Sequence, residues 1–216
     1  MTKVIGITGL AGHGKTTVAN MIAESYGYQE YALASPIKNT INNMFGWDDR
    51  HSNGVMKEEE QYTRIVHSSS LPIFLWQCFP EEDLDVSLAR DFVAVFSKYQ
   101  TYDLHGVLQY KISPRKAYQL FGTEFGRNCV DDDVWLDMIP KGNVVISDIR
   151  FENEANYIVR NGGRIIKVVS DRSTTKNNSH ISEKGIDLSY ISATIENNGT
   201  LRQLEEKVRD ICLLMK

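Results

Sequence analysis

Residues Gly9-Leu-Ala-Gly12-His-Gly14-Lys15-Thr16 follow the pattern Gly-x-x-x-x-Gly-Lys-Ser/Thr. Glycines at these positions let successive backbone N–H groups curl around phosphate oxygens, and a helix starting there adds the positive end of its dipole. Lys15 would reach the outer phosphates, and the Thr16 hydroxyl would ligate Mg²⁺. The run Leu10, Ala11, Gly12, His13, Gly14, Lys15, Thr16 and Thr17 therefore reads as a nucleoside triphosphate site, with Thr16 its metal-ligating candidate. The alternative, an accidental glycine-rich turn, is weakened by context. An apolar strand (Lys3–Thr8) leads into the motif and a helix (Lys15–Tyr26) leaves it.

A second group stands at Asp148-Ile149-Arg150, where the apolar strand Asn143–Ser147 ends. A carboxylate at the end of a strand beside a phosphate loop suits a Mg²⁺-bound water or the orientation of an acceptor. Arg150 can point to the same edge, and Glu154 follows one helical turn later. A structural Asp148–Arg150 salt bridge is the competing reading.

The third group lies on the helix expected from Ser113-Pro114 to about Asn128. At about 100° per residue, Ala117, Tyr118, Phe121 and Phe125 gather on one side. Arg115, Lys116, Gln119, Gly122, Thr123, Gly126 and Arg127 share the other, within an arc of about 140°. Each interior glycine costs roughly 1 kcal/mol against alanine, and on this wheel no apolar packing asks for them. A closely approaching, anionic, hydrogen-bonding ligand would explain them; a solvated polar face is the alternative. Arg172 reads as a cationic finger over the phosphates or as part of a solvated loop, and Trp135 as a base-stacking or a core residue. His180 reads as a structural histidine, with a catalytic base as the alternative. His13, His51, His67 and His105 form no catalytic constellation.

These groups need a scaffold that brings them to one edge. Strands are expected at 3–8, around 29–33, at 143–147, at 164–170 and near 193–196. Helices are expected at 15–26, from Ser35-Pro36 toward Phe45, at 86–99, 113–128, 131–138 and 152–161, the last of these stopped by Gly162-Gly163. A final helix carries Leu201, Leu204, Val208, Ile211, Cys212 and Met215 on one side. Residues 46–112 are the least legible. Strands alternating with helices imply an α/β fold, a parallel sheet with helices on both faces and ligands at the carboxyl ends of its strands.

Composition narrows the function classes. The chain has 216 residues, 42% hydrophobic and 24% charged, with a net charge of −4. It is long enough for a sizeable core and too apolar for disorder. With 24 basic and 28 acidic residues it has no global basic field for duplex nucleic acid, so no nucleic-acid partner is expected. No apolar run approaches the roughly 20 residues of a membrane span, and a strand occupies the N-terminus where a signal peptide would lie. A cytoplasmic protein is expected. Three cysteines without a Cys-x-x-Cys pair suggest neither a disulfide framework nor a zinc site.

Taken together, Ser113–Arg127, Trp135 and Ser147-Asp-Ile-Arg-Phe-Glu-Asn-Glu154 resemble the deoxynucleoside monophosphate kinases of tailed bacteriophages. Tyr31–Lys38, His180-Ile-Ser-Glu183 and Asn198-Gly-Thr-Leu201 fit the same pattern, while residues 58–105 match nothing in it. The resemblance implies one P-loop kinase domain over 1–216, like adenylate kinase, with an acceptor-binding helical insertion at about 35–130 and a lid at about 171–187. It implies ATP as donor, Mg²⁺, and a deoxynucleoside 5′-monophosphate as acceptor; a homodimer is common among such kinases. Arg115, Lys116, Gln119, Gly122, Thr123, Trp135, Asp148, Arg150 and Glu154 would hold the acceptor. Lys15, Arg127, Asp148 and Arg150 would act on the reacting phosphates, Arg172 would cover them, and Asn198-Gly199 would lie by the adenine. A small-metabolite kinase of the same fold, of dephospho-coenzyme A or phosphomevalonate type, and a nucleotide-hydrolysing switch are the alternative readings.

Overall fold

Val-Ile-Gly-Ile-Thr forms β1 (Val4–Thr8), buried at all five positions. A strand covered on both faces reads as a continuous apolar run instead of an alternating one. The computed structural model describes residues 3–66, 71–79, 86–171 and 185–214. It divides into two compact units, one of Met1–Leu33 with Leu136–Lys216 and one of Ala34–Trp135.

In the first unit β1 is the central strand of a five-stranded parallel sheet. Its neighbours are β6 (Val144–Ile146) and β7 (Arg164–Val169). Outside them lie β2 (Gln29–Tyr31) and β8 (Ala193–Glu196), giving the order β2-β6-β1-β7-β8. Parallel neighbours need crossover helices. Two of these are α1 (Lys15–Tyr26) after β1 and α8 (Glu152–Arg160) before β7, while α9 (Leu201–Leu214) follows the last strand, β8. Val18, Ala19 and Ile22 of α1 join Leu204, Val208 and Cys212 of α9 against Ile5, Ile7, Val145, Ile166, Val168 and Ile195 on one sheet face. Ile158 of α8 packs on the opposite face, over Gly6 and Gly163. This is the expected P-loop α/β architecture, and α1 occupies the residues the periodicity assigns to it. On α9, Leu201 is exposed, in contrast to its place on the expected apolar stripe.

The second unit is built on helices and rings. It comprises α2 (Ala34–Phe45), α3 (Asp49–Ser52), α4 (Leu71–Cys78), α5 (Val86–Phe96) and α6 (Pro114–Gln119). A π-helical segment, Leu120–Val130, continues α6, and α7 (Val134–Asp137) crosses the unit boundary. Ser113 caps α6 by accepting from the Lys116 amide, with Pro114 at the first position. A small antiparallel sheet, β3 (Gln61–Thr63), β5 (Leu108–Ile112) and β4 (Gln100–Tyr102), lies in the segment where the sequence suggests no strands. Phe92 and Phe96 stack at 4.3 Å, and Phe92 meets Phe125 at 5.7 Å. Phe121 touches Phe125 at 5.4 Å and Trp135 at 5.8 Å.

Among the described residues no helix is long and apolar enough to cross a membrane. Cys78, Cys129 and Cys212 are all free thiols.

Phe121 is fully buried at the centre of these ring contacts. Phe121→Ala should lower unfolding stability in urea by about 3–5 kcal/mol. A loss below about 1 kcal/mol would show that the rings do not form one packed core.

Candidate active site

The loop after β1 runs across the carboxyl end of the sheet and is fitted to β7. Gly9 has φ 142°, and a Cβ there would collide with the Val168 carbonyl oxygen. Gly14, at φ 91°, lies under the Asn197 side-chain amide, which a Cβ would strike. Both positions thus require glycine for backbone angle and for space. His13 is buried, its Nδ1 3.1 Å from the Val168 carbonyl. Asn197 Nδ2 donates to the His13 carbonyl at 3.0 Å. His13 therefore braces the loop. Lys15 Nζ donates to the Leu10 carbonyl across the loop at 2.9 Å. Thr16 and Thr17 are exposed on the first turn of α1.

Beside this loop is a cavity of about 320 Å³, lined by Leu10, Lys15, Ile149, Arg150, Lys167 and Ile191 among others. Lys15 and Arg150, assigned to phosphate chemistry from the sequence, thus line one space. The sequence reading missed Lys167. Its signal was a single charge inside the otherwise apolar run Ile-Ile-Lys-Val-Val of β7.

The acidic residues of this edge hold backbone. Asp148 Oδ1 accepts from the Leu33 amide at 2.8 Å, fixing the segment after β2. Burial pushes the Tyr31 phenol up, and the Asp148 carboxylate adds to that. Glu154 is 3% exposed, and its Oε2 accepts from the amides of Arg150 at 2.7 Å and Phe151 at 3.0 Å. This makes Glu154 a support for the Arg150 turn, where the sequence suggested an acceptor contact. Asn198 accepts from the Asp171 amide at 2.9 Å and donates to its carboxylate at 2.6 Å. The side chain that ties this region to the phosphate loop is that of Asn197, one residue earlier. Arg172, His180 and most of the expected lid (172–184) lie outside the described residues.

In the second unit, Arg115, Lys116, Gln119 and Thr123 are half-buried. Arg115 Nε pairs with Glu58 Oε1 at 2.6 Å. The two glycines have a reason the wheel did not supply. A Cβ on Gly122 would come within 2.8 Å of Ile37 Cδ1, and one on Gly126 would run into the Trp135 ring. Trp135 Nε1 donates to the Gly122 carbonyl at 2.8 Å. The chain is π-helical here, with the Asp131 amide bonded back five residues to the Gly126 carbonyl. The wider turn carries Gly126 round to the packed side. Trp135 is 2% exposed among Phe79 and Phe121, so its ring packs the core and offers no face for base stacking. The Arg127 side chain is 6% exposed and donates to the Asp132 carbonyl at 2.9 Å. It anchors that turn.

Among the described residues no three His, Cys, Asp or Glu side chains form a metal-holding group. Thr16, exposed on the first turn of α1, is the residue whose hydroxyl would ligate a Mg²⁺ ion arriving on phosphate oxygens.

The sequence profile described as deoxynucleotide monophosphate kinase matches residues 3–66 and 84–208. The chain belongs to the deoxynucleotide monophosphate kinase family. It is 25% identical to the deoxynucleoside-5'-monophosphate kinase of Escherichia phage T5, with 98% of this chain and 96% of that protein covered. It is also 25% identical to the deoxynucleotide monophosphate kinase of Enterobacteria phage T4, covering 96% and 98%. Residues 58–66 and 84–105, for which the sequence reading found no counterpart, lie within the deoxynucleotide monophosphate kinase match. They contribute Glu58 to the Arg115 pair and Phe92 and Phe96 to the ring core.

For this family member, Gly14→Ala should distort the phosphate loop. Placing a side chain in left-handed backbone costs about 1–2 kcal/mol, so ATP·Mg²⁺ affinity by titration should fall about tenfold or more. Asn197→Ala should weaken it less, and unchanged affinity in both would show that the Asn197 bracket does not shape the loop.

Proposed function

We propose that this chain transfers the terminal phosphoryl group of ATP to a deoxynucleoside 5′-monophosphate, giving the diphosphate and ADP. The observation that carries the reading is the convergence of Lys15 and Arg150 on one cavity at the glycine loop, in a chain of this family. Donor phosphates would lie along Leu10–Thr17, with the adenine toward Asn198-Gly199. The acceptor would be held by Arg150, with Asp148 orienting it.

An acceptor phosphate is already ionised at neutral pH. Its oxygen bonds to the γ-phosphorus as the bond from that phosphorus to the β,γ-bridging oxygen breaks, and ADP keeps the electron pair. No proton has to be abstracted, so positioning and charge neutralisation do the work. Lys15 and Arg150 supply fixed positive charge at the cavity wall. Glu154 holds the Arg150 amide, so the guanidinium leaves a rigid turn. Mg²⁺, when bound beside Thr16, neutralises phosphate charge. The Asp148 carboxylate, hydrogen-bonded to the Leu33 amide, fits orientation better than base chemistry. The reaction belongs in the cytoplasm, where its nucleotides are.

The test is ADP release from ATP·Mg²⁺ with each deoxynucleoside monophosphate, their ribose counterparts, dephospho-coenzyme A and phosphomevalonate. Turnover with at least one deoxynucleotide, and little without acceptor, is expected. Activity only with a non-nucleotide, or equal release with no acceptor, would overturn the reading. Lys15→Ala should lower kcat at least about 100-fold in a folded protein. Arg150→Ala should lower kcat/KM for the acceptor about 10- to 100-fold, and unchanged kinetics would remove Arg150 from the site.

A further inference from the structure

The cavity holds one cation that the reading above does not use. Lys167 lies near the carboxyl end of β7, in register with Thr8, the last residue of β1 before the phosphate loop, and with Thr194 of β8. Alternation along β7 sends Ile166 and Val168 into the core beneath α1 and α9. Lys167 and Val169 face the other way and line the cavity with Ile149 and Arg150. The strand is therefore buried on either side of the half-buried lysine, whose side chain lines the cavity.

Lys167 is half-buried, and an ion-paired structural role there would place a carboxylate beside it. Among the described residues no Asp or Glu lies within ion-pair distance of Lys167. Three positive side chains on one cavity of about 320 Å³ raise one another's energy, and a polyanion lowers it. The backbone sets the reach. The adjoining residue, Val168, carries the carbonyl against which Gly9 and His13 are fitted, so Lys167 is one residue from the loop's own contact with the sheet.

We propose that Lys167 contacts the phosphoryl group transferred from ATP, as a third cation beside Lys15 and Arg150. The proposal rests on the reading of this cavity as the donor site. It places Lys167 at the γ-phosphate, where charge shifts between donor and acceptor during transfer, and it predicts a contrast between nucleotides that differ only in that group.

The experiment is equilibrium titration of ATP·Mg²⁺ and ADP·Mg²⁺ into the wild-type chain, Lys167→Met and Lys167→Arg, with thermal melting of each. One hydrogen bond to a charged group is at stake, so Lys167→Met should weaken ATP about tenfold or more and leave ADP within about twofold. Lys167→Arg, which keeps the charge, should hold ATP within about threefold of wild type. Equal weakening of ATP and ADP, or of neither, would overturn the proposal. So would a loss of ATP affinity in both variants that tracks a lowered melting temperature, since that marks a packing role. The outcome is separate from the acceptor assay. A wild-type chain that binds ATP but phosphorylates no deoxynucleotide sinks the proposed reaction, while the ATP–ADP contrast still reads Lys167.

Discussion

The phosphate loop depends on a close backbone approach between residues 9–14 and the carboxyl end of β7. Gly9 sits against the Val168 carbonyl, the His13 ring lies on that same carbonyl, and Asn197 closes the arrangement from the far side. The partners come from residues more than 150 positions away in the chain, so the loop takes its shape only once β1, β7 and β8 are paired. Parallel pairing puts these carboxyl ends on one edge, and the buried core beneath α1 and α9 holds the pairing. The glycines are therefore a consequence of sheet packing as much as of phosphate binding.

The same dependence explains what the sequence could reveal. The loop, β1 and α1 were legible because motif, apolar run and helical period all lie within about 25 consecutive residues and agree. Arg150 was legible because it follows an apolar strand. Lys167 was harder to see, since one lysine in a strand reads as an exposed alternation until the neighbours on both sides are known. The role of Asn197 was also hidden, because it arises from a contact with His13 that local pattern does not encode. Residues 46–112 were opaque for another reason. The strands β3 and β4 are three residues each, too short to display a period, and pair only through β5.

Gly122 and Gly126 show how a correct element with the wrong pitch misleads. A wheel at 100° per residue assumes hydrogen bonds four residues apart. From Leu120 the backbone takes the wider π-helical path, and each further residue falls behind the expected angle. Gly126 then faces the Trp135 ring, which needs the space, and the Gly122 carbonyl receives the indole N–H. The glycines that suggested a ligand are explained by packing, Gly126 by Trp135 and Gly122 by Ile37. Arg115, Lys116, Gln119 and Thr123 lie before or within the first turn of this path and remain half-buried. A local change of pitch thus sorts one polar face into a packed part and an accessible part.

Charge at the first unit's sheet edge follows from what the carboxylates do there. The chain as a whole is negative, at −4, yet the cavity by the loop is lined by Lys15, Arg150 and Lys167. Glu154 is turned to the amides of Arg150 and Phe151, and Asp148 Oδ1 to the amide of Leu33. Each carboxylate fixes a backbone segment at this edge, and the segment held by Glu154 carries Arg150. For a nucleophile that is already an anion, a nearby carboxylate base would add repulsion without any proton to remove. An edge whose cations face the cavity while its acids brace the backbone satisfies that requirement, and low-dielectric walls such as Ile149 and Ile191 strengthen the field at the phosphates.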